Sequence, residues 1–210
     1  MDFSEPDHIT MLRESIRRML DKHATREQMA QWDAEDRVPR ALIDPIREMG
    51  VCEMTVPEEY GGIGRDILGT MVTVEELSRR SMVIATIYLM NACYGSMNIL
   101  ASGSEVQKTR LLPKLAAGEL LFAYGLSEPD VGSDLASVKT RAERRGDSVV
   151  INGSKRWCSG AEIADYIYAL VRTGPEDARY KNLSLVLIPP DAPGVSLTHI
   201  PAIGARGLQT

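Results

Sequence analysis

Cysteine is scarce: the three present, Cys52, Cys93 and Cys158, lie far apart and form no Cys-x-x-Cys pair. A disulfide framework is therefore not expected, a reducing compartment fits better, and a cytoplasmic location is expected. Histidine is equally rare, and His8, His23 and His199 make no metal-ligand spacing, so no metal centre is expected. The formal net charge is −5 and no basic run stands out, which argues against nucleic acid as a partner. The N-terminus, Met1-Asp-Phe-Ser-Glu-Pro-Asp7, is acidic and lacks the apolar core of a signal peptide. Aromatic residues make up only 5% of the chain, whereas methionine occurs ten times, and its pliable side chain suits the gaps between packed helices. The one long apolar stretch, Met82 to Ala101, is interrupted by Thr86, Asn91, Gly95, Ser96 and Asn98. It reads as a buried helix, and no membrane span is expected.

What is present divides into two textures, and the fold class expected is α+β. The first part, 1–120, reads as an all-α helical domain. Ile9, Leu12, Ile16, Met19, Leu20 and His23 recur at three- and four-residue steps, one face of an amphipathic helix. Leu42, Ile46 and Met49 repeat the pattern, and Gly50 stands where a helix C-terminal glycine belongs. Val56–Gly64 reads as a loop, since its proline and glycines favour turns. Helical spacing resumes at Ile67, Met71, Val74 and Leu77. Ser104 then reads as the N-cap of a helix carrying Val106, Leu111 and Leu115, closed by Gly118.

From residue 121 to 210 the pattern is that of strands. Leu121–Leu126, Ser137–Glu143, Ser148–Asn152, Tyr166–Arg172, Leu183–Ile188 and Val195–Ile200 are short apolar runs separated by Arg145-Gly-Asp147, Asn152-Gly153, Thr173-Gly-Pro175 and Asp191-Ala-Pro-Gly194. They predict an antiparallel β sandwich or barrel. Pro201–Thr210 reads as a loop running towards a further strand, so the sheet is left unclosed. An unfinished sheet exposes backbone donors and acceptors on its edge, so the chain is expected to be a fragment or to be completed by another chain.

Two segments carry the candidate chemistry. In Tyr124-Gly-Leu-Ser-Glu-Pro-Asp-Val-Gly-Ser-Asp134 a strand runs into a loop whose small residues, hydroxyls and exposed backbone N–H groups suit a polar planar ligand or phosphate oxygens, although loops of this composition are usually ordinary turns. In Asn152-Gly-Ser-Lys-Arg-Trp-Cys-Ser-Gly160, Asn-Gly is read as a hairpin turn and the following strand as delivering Trp157 and Ser159 to one face. Such a pair can stack on a ring and hydrogen-bond its edge, or be a core tryptophan beside a surface serine.

In this order the segments resemble the flavin-binding middle domain of the acyl-CoA dehydrogenases. The resemblance is carried by Ser127-Glu-Pro-Asp-Val-Gly-Ser-Asp134, Gly146-Asp147, Asn152-Gly-Ser-Lys155, Trp157-Cys-Ser159 and Ala164-Asp165. It extends to Pro57–Gly64, Glu75-Glu-Leu77 and Leu112-Pro-Lys-Leu-Ala-Ala-Gly-Glu119 in the first half. It implies FAD as cofactor and an acyl-CoA thioester as substrate, dehydrogenated by removal of the α-proton and passage of the β-hydrogen as hydride to flavin N5. The cofactor-binding residues it implies are Tyr124, Leu126, Ser127, Gly132, Ser133, Trp157, Cys158 and Ser159. Tyr124, Leu126 and Ser127 would line the pyrimidine side of the ring. Ser133 would lie where pyrophosphate and thioester contacts meet and so also bind substrate, Trp157 would pack beside the isoalloxazine, and Ser159 would offer a hydroxyl. Ser127 and Ser159 stand where the family often has threonine, and Cys158, read as a small apolar filler, where isoleucine is common. Glu128, Pro129, Gly132 and Asp134 are read as holding the loop. Met90, Cys93, Tyr94 and Met97 are candidate walls of an acyl pocket or ordinary helix core.

The family's catalytic glutamate belongs to a C-terminal helical domain that this sequence stops before, so no catalytic residue is assigned and the chain alone is expected to be inactive. Electron-transfer flavoprotein is the electron acceptor the resemblance implies, and a homo-oligomer or heteromer is expected. The alternatives are a subunit of a split enzyme, or a relative using FAD on a non-CoA substrate.

Overall fold

The computed structural model describes residues 4–36, 38–206 and 208. Parts of the terminal segments read above, Met1-Asp-Phe3, Gly207 and Gln209-Thr210, lie outside the described residues. The chain divides into a helical unit, Met1–Leu121 with Pro201–Leu208, and a β unit, Phe122–Ile200.

The helical unit holds α1 (Asp7–His23), α2 (Arg26–Ala34), α3 (Ile43–Glu48), α4 (Ile67–Arg80), α5 (Met82–Asn91), α6 (Asn98–Ser102) and α7 (Glu105–Ala116). The stripe expected on α1 turns inward through Ile9, Ile16 and Leu20. These residues share a core with Leu42, Leu77, Ile84, Tyr88, Leu112 and Leu115. Gly50 takes the left-handed conformation expected of it, with φ 70°. Ser104 caps α7 as read: its hydroxyl accepts from Gln107 N while the Gln107 side chain accepts from Ser104 N, a full capping box. Ser104→Ala is expected to lower stability by about 1 kcal/mol, read as a shifted urea midpoint, and an unchanged midpoint would refute the cap.

Two departures from the sequence reading concern helices. The first is α4, whose inward face is Thr70, Val72, Thr73, Glu76 and Leu77, while Ile67 and Met71 are exposed. A glutamate on the buried side breaks the hydrophobic periodicity, and it is tolerated because arginines meet it. Glu76, 2% exposed, accepts from Arg13 Nη1 at 2.5 Å, from Arg17 Nε and Nη2 at 2.8 and 2.7 Å, and from Arg79 at 3.3 Å. Burial alone would raise its carboxyl, but the hydrogen bonds from Arg17 and Arg13 outweigh it and hold the group down to about 2. The second is the apolar stretch after Ser81. Met82–Ser102 is long and apolar enough to cross a membrane by length and composition, yet 67% of its most apolar window is buried inside the fold. It is not one α-helix, because Ala92–Met97 forms a π-helical turn between α5 and α6.

One ion pair joins remote parts of the helical unit. Arg206 Nε and Nη2 meet both carboxylate oxygens of Asp36, at 2.8 and 3.3 Å. Asp36 and Ala205 both have positive φ, at 51° and 52°.

The β unit holds β1 (Phe122–Gly125), β2 (Arg141–Arg145), β3 (Ser148–Asn152), β4 (Tyr166–Arg172) and β5 (Leu183–Ile188). The sheet is mixed, not antiparallel as expected. β1 lies parallel to β4, with Phe122 opposite Tyr166, and β2 meets β4 parallel through Arg141 opposite Arg172. The antiparallel pairs are β2–β3, joined at Gly146-Asp147, and β4–β5. Only pairs linked by short turns must run antiparallel, and some forty residues separate β1 from β4, ample for a parallel return. β4 is the central strand and is buried along almost its whole length. Around it Phe122 meets Tyr166 edge to face, with centroids 5.4 Å apart, and Val131, Val138 and Leu170 pack with Leu126, Leu135 and Leu183.

Three strand expectations fail locally. Val195–Ile200 forms no strand, and Ser137–Glu143 becomes extended pairing only from Arg141, after a 3-10 turn at Leu135–Ser137. The intervening Val138–Thr140 is occupied elsewhere: the Val138 carbonyl accepts from the Arg172 guanidinium, and the Lys139 and Thr140 amides donate to Glu128. Asn152-Gly153 is not a hairpin turn but the end of β3. Glycine is required there because a Cβ on residue 153 would lie 2.6 Å from Thr140 Cα.

Candidate functional site

β1 delivers Tyr124 and Gly125 to the start of the first candidate segment, with the Tyr124 ring tilted against that of Tyr168 at 6.0 Å. Gly125 is needed by close packing, since a Cβ there would lie 2.8 Å from Ile167 Cγ2. The chain then turns sharply: Glu128 N donates to Val131 O at 2.8 Å and Val131 N to Glu128 O at 3.2 Å, with Pro129 and Asp130 at the exposed corner. Gly132 and Ser133 follow on the surface. Asp134 accepts from Ser137 Oγ at 2.6 Å and from Arg179 at 3.3 Å, which fixes the far end of the loop.

Under this turn lies Glu128, 6% exposed. Its carboxylate accepts from Lys139 N at 2.7 Å, Thr140 N at 2.9 Å, Thr140 Oγ1 at 2.6 Å and Lys155 Nζ at 2.9 Å. Burial raises the carboxyl, but the Thr140 hydroxyl, the Lys139 amide and the Lys155 ammonium together bring it to about 2. Lys155 also donates to Leu126 O at 3.1 Å, and burial lowers its own pKa, an effect that Glu128 opposes.

The second segment is no strand, so alternation does not set the directions of Trp157 and Ser159. After Lys155 the backbone N–H of Arg156 donates to Ser127 O at 2.9 Å, and Trp157 takes a left-handed φ of 65°, which breaks any extended run. That conformation costs a bulky residue about 1–2 kcal/mol. The residue is 53% exposed, with the Arg156 guanidinium stacked 4.5 Å from the ring centroid. Cys158 and Ser159 are half-buried; burial pushes the Cys158 thiol up, against the opposing charge of Lys155. A turn in which Ala161 N donates to Cys158 O carries the chain towards β4.

Direct hydrogen bonds thus join Leu126, Ser127 and the segment that carries Trp157, Cys158 and Ser159. Tyr124 sits at the end of the strand leading in. Gly132 and Ser133 lie beyond the turn, on the surface. The sequence reading gave no role to Thr140 or Arg172, and none to Lys155 although it lies in a motif that carries the resemblance. The available signal was the lysine two residues before Trp157, but a single lysine ordinarily marks a solvated surface.

Residues 6–119 match the family of the acyl-CoA dehydrogenase N-terminal domain and residues 123–210 that of the acyl-CoA dehydrogenase middle domain. The chain belongs to the acyl-CoA dehydrogenase family. It is similar to glutaryl-CoA dehydrogenase of Desulfococcus multivorans, 32% identical over 213 residues that cover 100% of this chain and 54% of that one. Among solved structures it is similar to glutaryl-coenzyme A dehydrogenase in its glutaryl-CoA complex, with TM-score 0.90, 33% identity and coverage of 100% of this chain and 54% of that one. A glutaryl-CoA dehydrogenase from Mycobacterium smegmatis in complex with FADH2 matches with TM-score 0.82 and 25% identity, over 98% of this chain and 51% of that one. The chain spans about half the length of these relatives, their N-terminal and middle domains.

Proposed function

We propose that this chain supplies the flavin-ring and thioester-facing part of an FAD-dependent acyl-CoA dehydrogenase. The observation that carries the reading is the exposed Trp157 ring, held in a left-handed conformation on a segment hydrogen-bonded to Ser127. An exposed aromatic in a costly backbone conformation, beside hydroxyls and backbone groups, fits a planar polar ring. The relative whose structure contains FADH2 supports the same cofactor.

On this reading Tyr124, Leu126 and Ser127 meet the pyrimidine side of the flavin, and Trp157 packs against the ring. Ser159 contributes a hydroxyl, and Cys158 fills space without redox chemistry. Gly132 and Ser133, on the exposed stretch after the turn, offer backbone and hydroxyl donors to the pyrophosphate, and Ser133 also to the thioester. Bound there, FAD supplies the acceptor for hydride leaving the β-carbon of an acyl-CoA. The chain's own residues orient that acceptor and shield one side of it. Glu128 is not the base for the α-proton, because its carboxylate is saturated by donors and too weakly basic. The base is assigned to a glutamate outside these two domains. Electron-transfer flavoprotein is the acceptor proposed for the reduced enzyme, which works as a homo-oligomer or heteromer in the cytoplasm.

The test is flavin retention by the protein expressed from its full reading frame. FAD should copurify or rebind, and Trp157→Ala should weaken it by roughly tenfold, the loss of one ring-stacking contact. A protein that binds no flavin when saturated with FAD would refute the reading.

A further inference from the structure

The largely enclosed pair Glu128–Lys155, with side chains 4% and 11% exposed, is an expensive way to fill space, because desolvating two charges offsets most of their attraction and an apolar pair of similar volume packs as well. What an apolar pair could not do is address polar backbone on two separate segments. Lys155 Nζ reaches Leu126 O on the first loop, and the carboxylate takes both the Lys139 and Thr140 amides on the approach to β2. That approach is itself tied to the central strand: buried Arg172 of β4 donates to Ala136 O at 3.2 Å and to Val138 O at 3.0 and 2.9 Å, and its N–H donates to Thr140 O at 2.8 Å. A continuous line of hydrogen bonds therefore runs from β4 through Thr140 and Glu128 to Lys155. The next residue, Arg156, closes the line onto Ser127 through its backbone and covers Trp157 with its guanidinium.

We propose that Lys155 and Glu128 are positioning residues: they lock the Leu126–Ser127 turn to the 155–158 segment, so that Ser127 and Trp157 form one preset platform for the cofactor. The cofactor's identity in this statement rests on the flavin reading above; the platform does not. Without the lock, the Arg156–Ser127 bond would be left to hold the two loops together, and the left-handed Trp157 would relax towards cheaper conformations.

Lys155→Met keeps the length and apolar stem of the side chain but removes the ammonium, Lys155→Arg restores a cation, and Thr140→Val removes one hydroxyl from Glu128 while leaving both charges. Two readouts are taken on the full-length protein: hydrogen exchange of the Arg156 and Thr140 amides, and the affinity and absorption spectrum of bound FAD. In Lys155→Met the Arg156 amide should exchange roughly tenfold faster. FAD should bind roughly tenfold more weakly with an altered flavin spectrum, at an unchanged far-UV circular dichroism spectrum, and Lys155→Arg should recover most of both. Thr140→Val should move both readouts in the same direction by a smaller factor, and it decides the matter if Lys155→Met does not fold. Unchanged exchange in these variants overturns the lock. Faster exchange with unchanged flavin affinity and spectrum reduces the pair to a structural role and overturns the positioning claim. If the wild-type protein binds no FAD, the flavin reading falls, and exchange at Arg156 alone decides whether the platform is locked.

Discussion

Replacing Glu76 with alanine is expected to destabilise the helical unit by about 3 kcal/mol, the cost of breaking a buried ion cluster from its centre. The carboxylate receives Arg13 and Arg17 from α1 and Arg79 from its own helix, so its loss leaves mutually repelling guanidinium groups around an emptied site. Arg17 and Arg79 retain access to water and can turn outward, and Arg13, more enclosed, keeps Glu5 and Glu75 as partners, which holds the figure at the lower end for such clusters. Urea unfolding followed by circular dichroism at neutral pH measures the loss. Glu76→Gln, which keeps shape and hydrogen-bonding oxygen but not charge, should lose less. A Glu76→Ala midpoint within about 0.5 kcal/mol of wild type would show the cluster to be a solvated surface network.

Acid is expected to weaken both units through two carboxylates. Glu76 and Glu128 have folded pKa values of about 2, against an ordinary 4.5. A depressed folded value means that each contribution is complete above the ordinary value and is lost as pH falls from about 4.5 towards 2. Water reaches the rims of both clusters and screens them, so each is worth on the order of 1–2 kcal/mol. Denaturation midpoints should hold steady from about pH 7 to 5 and then fall. The combined Glu76→Gln, Glu128→Gln variant should start lower and fall less over the same interval. Parallel acid profiles for variant and wild type would mean that other groups govern the acid response.

Much of the fold could be read from residue order because local signals agreed. The capping box at Ser104, the glycine at residue 50 and the Gly146-Asp147 hairpin each act within a few residues, and each occurs where expected. What could not be read was set at long range. The parallel pairing of β1 with β4 depends on where a long connection returns, and no turn signal encodes that. Glu76 was invisible as a core residue because its nearest partners, Arg13 and Arg17, lie some sixty positions away on α1. Asn152-Gly153 misled for a related reason: the dipeptide usually marks a turn, but here its glycine answers the approach of Thr140. At the site, motif residues identified the right segments, but the bonds that join them, Lys155 to Leu126 and Arg156 to Ser127, belong to side-chain and backbone atoms that no pattern of residue types reveals.

The Asp36–Arg206 pair bears on the order in which the molecule is made. Its partners stand 170 positions apart, and Pro201–Leu208 groups with the helical unit. In the vectorial sense of synthesis the β unit is therefore an insertion within the helical one. A ribosome that has released α1 to α7 has not yet released Arg206, so these helices wait, without that ion pair, while about ninety further residues emerge. During that interval Asp36 stands without its arginine, a state of the helical unit that a chaperone or protease would meet.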